Sequence, residues 1–256
     1  VSNLIIEKTS SEEGRYGEVI AECFYKYYTE FGSTSPKYKN ISLSDTTKDK
    51  AYQKIDCDFH DKNADIKIEV KHDTWIAGKK KNYPNGTGNI PYEIATHIPY
   101  DLGKTIEAYA TYRGTVTLNE LLEKFPELHE RYIGCNEKCK ADDIFAVGGE
   151  EENEENRRYK LIKIWNINNE RFQKYAHAIQ IRSKAKRKNS EEWLHFPWQK
   201  EDNGYNIIIN VPIKKLIEFN IAREMPEFMI NKMKMKFPAL DEYHTSKEIE
   251  KIITTF

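Results

Sequence analysis

Two short segments, Ile55-Asp56-Cys57-Asp58-Phe59-His60 and Ile66-Lys67-Ile68-Glu69-Val70-Lys71, constrain this chain more than any other feature. Each alternates apolar and polar residues, the pattern of a half-buried β-strand. Residues 52–60 and 64–71 are therefore expected to form a strand pair. The apolar set (Ile55, Cys57, Phe59, Ile66, Ile68 and Val70) is ordinary for a sheet face turned to a core. The polar set is not, because carboxylates placed side by side repel one another and are costly to desolvate. A two-residue loop at Lys62-Asn63 sets the register, with Asp56 opposite Glu69 and Asp58 opposite Lys67. Asp56, Asp58, Glu69 and Lys71 then share one face.

Converging carboxylates beside one lysine suit a divalent cation at a phosphodiester. Such a cation lowers the pKa of bound water and neutralises charge on the phosphate. Hard oxygen donors favour Mg²⁺, which takes only a few protein carboxylates and keeps several waters; Mn²⁺ is expected to substitute. Asp56, Glu69 and the carbonyl of Val70 are the expected ligands, and Lys71 the group that orients the attacking water. Asp58, nearer the turn, is an additional acid that would face solvent or pair with Lys67.

Upstream, residues 11–30 read as an amphipathic helix. Ser10 or Ser11 can cap it, Glu12 and Glu13 lie in its first turn, and Val19, Ile20, Cys23, Phe24 and Tyr27 form one apolar stripe. Glu18 stands at the edge of that stripe, where its carboxylate can point along the interface with a sheet. Residues 32–50 read as a polar connection and 79–88 as a basic loop containing glycine. Further strands are expected at 89–94, 143–147, 159–165 and 206–211. Helices are expected at 117–131, 169–178 and 212–219, and in a tail from 223 that breaks at Pro238. Glu150 to Asn156 reads as a solvated loop.

The order of these residues resembles the PD-(D/E)XK nuclease superfamily, in which an Asp is followed, across a strand hairpin, by Glu-x-Lys. Here it stands as Asp56 and then Glu69-Val70-Lys71. Gly14-Arg15-Tyr16-Gly17-Glu18 is similar to the preceding helix of that superfamily, with Glu18 at the matching position. Glu69-Val70-Lys71-His72-Asp73 followed by Thr87-Gly88-Asn89-Ile90-Pro91-Tyr92-Glu93 resembles a pattern of its phage-type members, and Lys140-Ala141-Asp142-Asp143-Ile144-Phe145 their next strand. The likeness covers residues 12–110, with weaker echoes to 165. It departs in lacking the proline of the name and in a long insertion from Gly78 to Gly86.

The resemblance implies an α/β, restriction-endonuclease-like fold, a central mixed sheet flanked by helices. Residues 1–180 would form the core, and 181–256 an α-rich extension for DNA recognition or dimerisation. It further implies a Mg²⁺-dependent DNA endonuclease of the type II restriction kind. The alternatives are a structure-specific phage-type nuclease and a nucleic-acid-binding module that keeps the fold without turnover. Asp56, Glu69, Lys71 and Glu18 would be catalytic, with Glu18 also assisting the metal or its water shell. Glu93 is either a second acid near the metal or a partner for the lysine-rich loop.

The formal charge of −1, with 32% charged residues, argues against a polycationic coat but allows a basic groove balanced elsewhere. Lys79, Lys80, Lys81 and Asn89 are candidate DNA contacts. So are Arg182, Lys184, Lys186, Arg187 and Lys188, which precede the aromatic run Trp193-Leu194-His195-Phe196-Pro197-Trp198. Cys135-x-x-x-Cys139, with His129 nearby, is a single pair at a spacing unusual for structural zinc. Cys23 and Cys57 fall on apolar faces. No apolar run approaches the length of a membrane span, and few scattered cysteines suit a reducing cytoplasm.

Overall fold

The computed structural model describes residues 2–30, 43–45, 58–61, 65–77, 86–153, 155–183, 191–199 and 203–254. Helix α1 (Ser2–Glu30) comes first, then strands β1 (Leu43–Asp45), β2 (Phe59–Asp61) and β3 (Ile66–Asp73) and the turn of helix α2 (Thr74–Ala77). Strand β4 (Asn89–Pro99), α3 (Tyr100–Arg113), β5 (Thr115–Val116), α4 (Leu118–Lys124), α5 (Glu127–Glu130) and α6 (Cys135–Lys138) follow. Next are β6 (Asp143–Glu151), β7 (Tyr159–Asn168), α7 (Asn169–Ala178), β8 (Ile181–Arg182), β9 (Trp193–His195), β10 (Trp198–Gln199) and β11 (Gly204–Pro212). The described chain closes with α8 (Ile213–Glu218), β12 (Ala222–Glu224), α9 (Glu227–Lys236), a 3₁₀ turn at Pro238–Asp241 and α10 (Ser246–Thr254).

These elements belong to two compact units, each with its own mixed sheet flanked by helices, so the chain is an α/β protein. The first unit takes residues 1–88, 140–168 and 222–256; the second takes 89–139 and 169–221. This differs from one central sheet with a division after residue 180. Residues 181–221 add strands β8 to β11 to the second unit, and only the stretch from 222 is mainly helical. The cause is pairing distant in sequence: β4 runs antiparallel to β11, and β12 to β7.

In the first unit the strand order is β1-β2-β3-β6-β7-β12. β3 and β6 are parallel and the other pairings antiparallel. Ile144 to Gly149 of β6 are buried, as expected of a strand covered on both faces. Helix α1 lies on β3 through the expected stripe: Val19, Ile20, Cys23 and Phe24 are buried in one cluster with Ile68, Val70, Phe145 and Val147. Each large apolar side chain sequestered there contributes about 1.5–3 kcal/mol. Close approach depends on Gly17, where a Cβ would lie 2.8 Å from the His72 Cβ and 3.2 Å from Val70 Cγ1.

In the second unit the order is β10-β11-β9-β8-β5, with β4 on β11. The expected helix over 117–131 is two short helices, since Pro126 interrupts it. Thr117 and Glu120 form a reciprocal capping box at the start of the first. Glu150 and Glu151, expected in a loop, extend β6. Helix α1 starts well before Ser10 and Ser11, so neither caps it.

Candidate functional site

The hairpin of β2 and β3 pairs Phe59 with Ile68, His60 with Lys67 and Asp61 with Ile66. The connection therefore spans residues 62–65 rather than Lys62-Asn63 alone, and the register moves by two residues. Lys67 faces His60, not Asp58. Asp58 instead lies one residue beyond the last pair, beside Glu69. Its N–H donates to the Ile68 carbonyl at 3.0 Å, and its carboxylate Oδ2 accepts the Val70 N–H at 2.7 Å. The aspartate that brackets Glu69 is thus Asp58. Asp56, expected in that position, lies outside the described residues, as does Cys57.

Burial and charge both act on Asp58. Desolvation pushes its pKa up to about 7, and the neighbouring Glu69 and Glu18 push the same way. The Val70 N–H and the Lys71 ammonium oppose them. The Lys71 ammonium lies 2.6 Å from Glu69 Oε1, with a third of the lysine side chain exposed. Glu18, on α1, accepts from Arg15 Nη1 at 2.7 Å. Glu18, Asp58, Glu69 and Lys71 therefore form one electrostatic cluster, built from α1 and the β2–β3 hairpin.

The donor set suits a hard cation: carboxylate oxygens with the Val70 backbone alongside. Glu18 is held by the Arg15 guanidinium and Glu69 by the Lys71 ammonium. Among the described residues no three His, Cys, Asp or Glu side chains stand ready to hold a metal ion as they are. The chemistry fits Mg²⁺; a preformed cage it is not.

His72, next along β3, packs against Tyr16 and Tyr159, its ring centroid 4.9 Å from each. Its Nδ1 stands 2.9 Å from the Glu13 carbonyl of α1, and burial lowers its pKa to about 4, so the neutral ring donates there. The sequence signal for His72 is Gly17 and Gly149, which leave room for its ring: a Cβ at Gly149 would lie 2.4 Å from His72 Nε2.

The other expected site residues that are described belong to the second unit. Glu93 belongs to the second unit, where its carboxylate accepts the Cys135 N–H at 3.2 Å, at the start of α6. Asn89 begins β4 opposite Pro212, also in the second unit. Arg182 pairs with Glu191 at 2.9 Å. Lys79, Lys80, Lys81, Lys184, Lys186, Arg187 and Lys188 lie outside the described residues. Of the aromatic run, Trp193 packs on His195, and Trp198, 40% exposed, meets Tyr100 and Tyr205 edge-on at 5.1 Å. Cys135 and Cys139 are not disulfide-bonded; the first is exposed and the second buried.

No protein-family model, curated protein or solved structure matches the chain. No described helix is long and apolar enough to cross a membrane.

Proposed function

We propose that the chain is a Mg²⁺-dependent DNA endonuclease of the type II restriction kind, related to the PD-(D/E)XK nucleases. The observation that carries the reading is the clustering of Asp58, Glu69 and Lys71 on one hairpin, with Glu18 beside them on α1. In this reading Asp58 takes the ligand role expected of Asp56. Three carboxylates that repel one another when ionised are a costly arrangement for stability alone.

Mg²⁺ bound there would supply an acidified water and neutralise charge on the scissile phosphate. Glu18, Asp58 and Glu69 supply the negative field that draws in the cation. Asp58 must give up its proton for this, since a neutral carboxyl is a poor donor to a cation. Glu69 must exchange the Lys71 ammonium for the cation. Lys71 would then donate to the attacking water or to a phosphate oxygen.

A second reading has one observation in its favour. Glu18 and Glu69 are already satisfied by Arg15 and Lys71, as they would be in a nucleic-acid-binding module without turnover. Incubating the purified protein with plasmid and Mg²⁺, Mn²⁺ or EDTA separates the two. The nuclease reading expects cleavage with either metal and none with EDTA. DNA binding with a salt slope but no cleavage under any metal condition supports the module instead.

A further inference from the structure

Arg15 holds two carboxylates from different ends of the first unit. Nη1 donates to Glu18 Oε2 at 2.7 Å, three residues on in the same helix. Nη2 donates to Glu250 Oε1, also at 2.7 Å, on α10. Only 22% of the Arg15 side chain is exposed, and 18% of Glu18. Helix α10 is anchored on α1 independently of this pair. Ser246 and Ile249 are buried, and the Ser246 N–H donates to Glu12 Oε1 at 2.7 Å.

A planar guanidinium bound at both Nη groups has little freedom to rotate. Its grip on Glu18 is therefore set by Glu250, and Glu250 is set by the docking of α10. Arg15 also adds positive charge next to Glu18, offsetting the repulsion among Glu18, Asp58 and Glu69. The guanidinium is paired with Glu18 of this cluster and the Lys71 ammonium with Glu69.

We propose that Arg15 is a positioning residue for Glu18, and that Glu250 on α10 completes it, so that α10 is part of the candidate metal site. This rests on the nuclease reading above. Groups that orient metal-bound carboxylates typically matter by about 10–100-fold in metal affinity. An ion pair with a purely structural role would change stability and leave metal affinity alone.

The test uses the full chain and Mn²⁺ as probe, read by electron paramagnetic resonance of the free ion. Plasmid cleavage against Mn²⁺ concentration and thermal midpoints are measured alongside. Arg15→Gln is expected to weaken Mn²⁺ binding by about tenfold or more. Glu250→Gln acts in the same direction but less, and Arg15→Lys does not restore binding, because an ammonium lacks the two-handed fork. In a Glu18→Gln background, Arg15→Gln should have no further effect on Mn²⁺ affinity. An effect undiminished in that background overturns the proposal, as does a lowered thermal midpoint with Mn²⁺ binding unmoved. Wild-type binding that depends on Glu18 but not on Arg15 sinks this inference alone. Wild-type protein that neither binds Mn²⁺ nor cleaves sinks the nuclease reading, and this inference with it.

Discussion

The Asp58 carboxylate accepts the backbone N–H of Val70 at 2.7 Å, which fixes an acidic side chain at the end of the β2–β3 ladder directly beside Glu69. A side chain has replaced a backbone carbonyl as the hydrogen-bond acceptor. That bond holds a costly carboxylate in place at the end of the ladder.

Asp58→Asn keeps the shape and the bond to Val70 but removes the charge. It is expected to lower Mg²⁺-dependent cleavage by about 100-fold or more, the scale of groups that stabilise charge in the transition state. Plasmid nicking rates for Asp58→Asn and Asp56→Asn check this. Wild-type rates in Asp58→Asn with loss in Asp56→Asn would return the ligand to position 56.

The pH dependence of stability follows from two desolvated groups. Asp58 titrates near 3.8 when unfolded and about 7 when folded. Between those values the folded state keeps a proton that the unfolded state has released, so this contribution falls as pH rises through the window. His72 is opposite: its pKa drops from 6.5 to about 4, so its contribution falls as pH falls from 6.5 towards 4. The two slopes oppose each other in the wild type. In Asp58→Asn only the histidine slope remains, and urea midpoints should rise from pH 4.5 to 6.5 more steeply than in the wild type. Parallel profiles for the two proteins would contradict the Asp58 shift.

Because Asp58 must lose its proton to bind a cation, the Mg²⁺ needed for half-maximal cleavage should fall as pH rises towards about 7. Above that the requirement should level off. A metal requirement independent of pH between 5.5 and 7.5 would remove Asp58 from the ligand set.

Gly17→Ala places a methyl group 2.8 Å from the His72 Cβ, where helix and strand backbones are both fixed by packing. The clash should cost about 1–3 kcal/mol of stability. By pushing α1 away from β3 it should also raise the Mg²⁺ requirement, since Glu18 moves with the helix. Thermal unfolding and a Mg²⁺ titration of cleavage test both parts.

Glu93→Ala should leave cleavage unchanged, as its carboxylate serves the Cys135 N–H in the second unit. Loss of that bond should cost about 1 kcal/mol. A large fall in cleavage without a change in unfolding would make Glu93 part of the catalytic machinery.

The parts legible in the sequence were those governed by local periodicity. The stripe from Val19 to Phe24, the alternation from Ile66 to Lys71, and the helix at 169–178 follow from neighbours within two turns or one strand. Glu18, Glu69 and Lys71 could be singled out for that reason. The partner of Glu69 could not, because it depends on loop length: a four-residue connection ending at Asp65, with φ of 52°, replaces a two-residue turn. Helix α3 went unread, its only marks being Asp101 in the first turn, Arg113 in the last and Gly114 at φ 77° beyond it. The interleaving of the two units was equally hidden. Nothing near Asn89 or Ala222 announces a strand partner more than fifty residues away.

Phosphodiester hydrolysis by the hairpin cluster depends on Glu69 and Lys71 together. Glu69→Ala and Lys71→Ala, purified and shown by circular dichroism to be folded, are compared with wild type on supercoiled plasmid in Mg²⁺. Cleavage by the wild type that vanishes in both variants is the predicted result. Cleavage at the wild-type rate in either variant would contradict it.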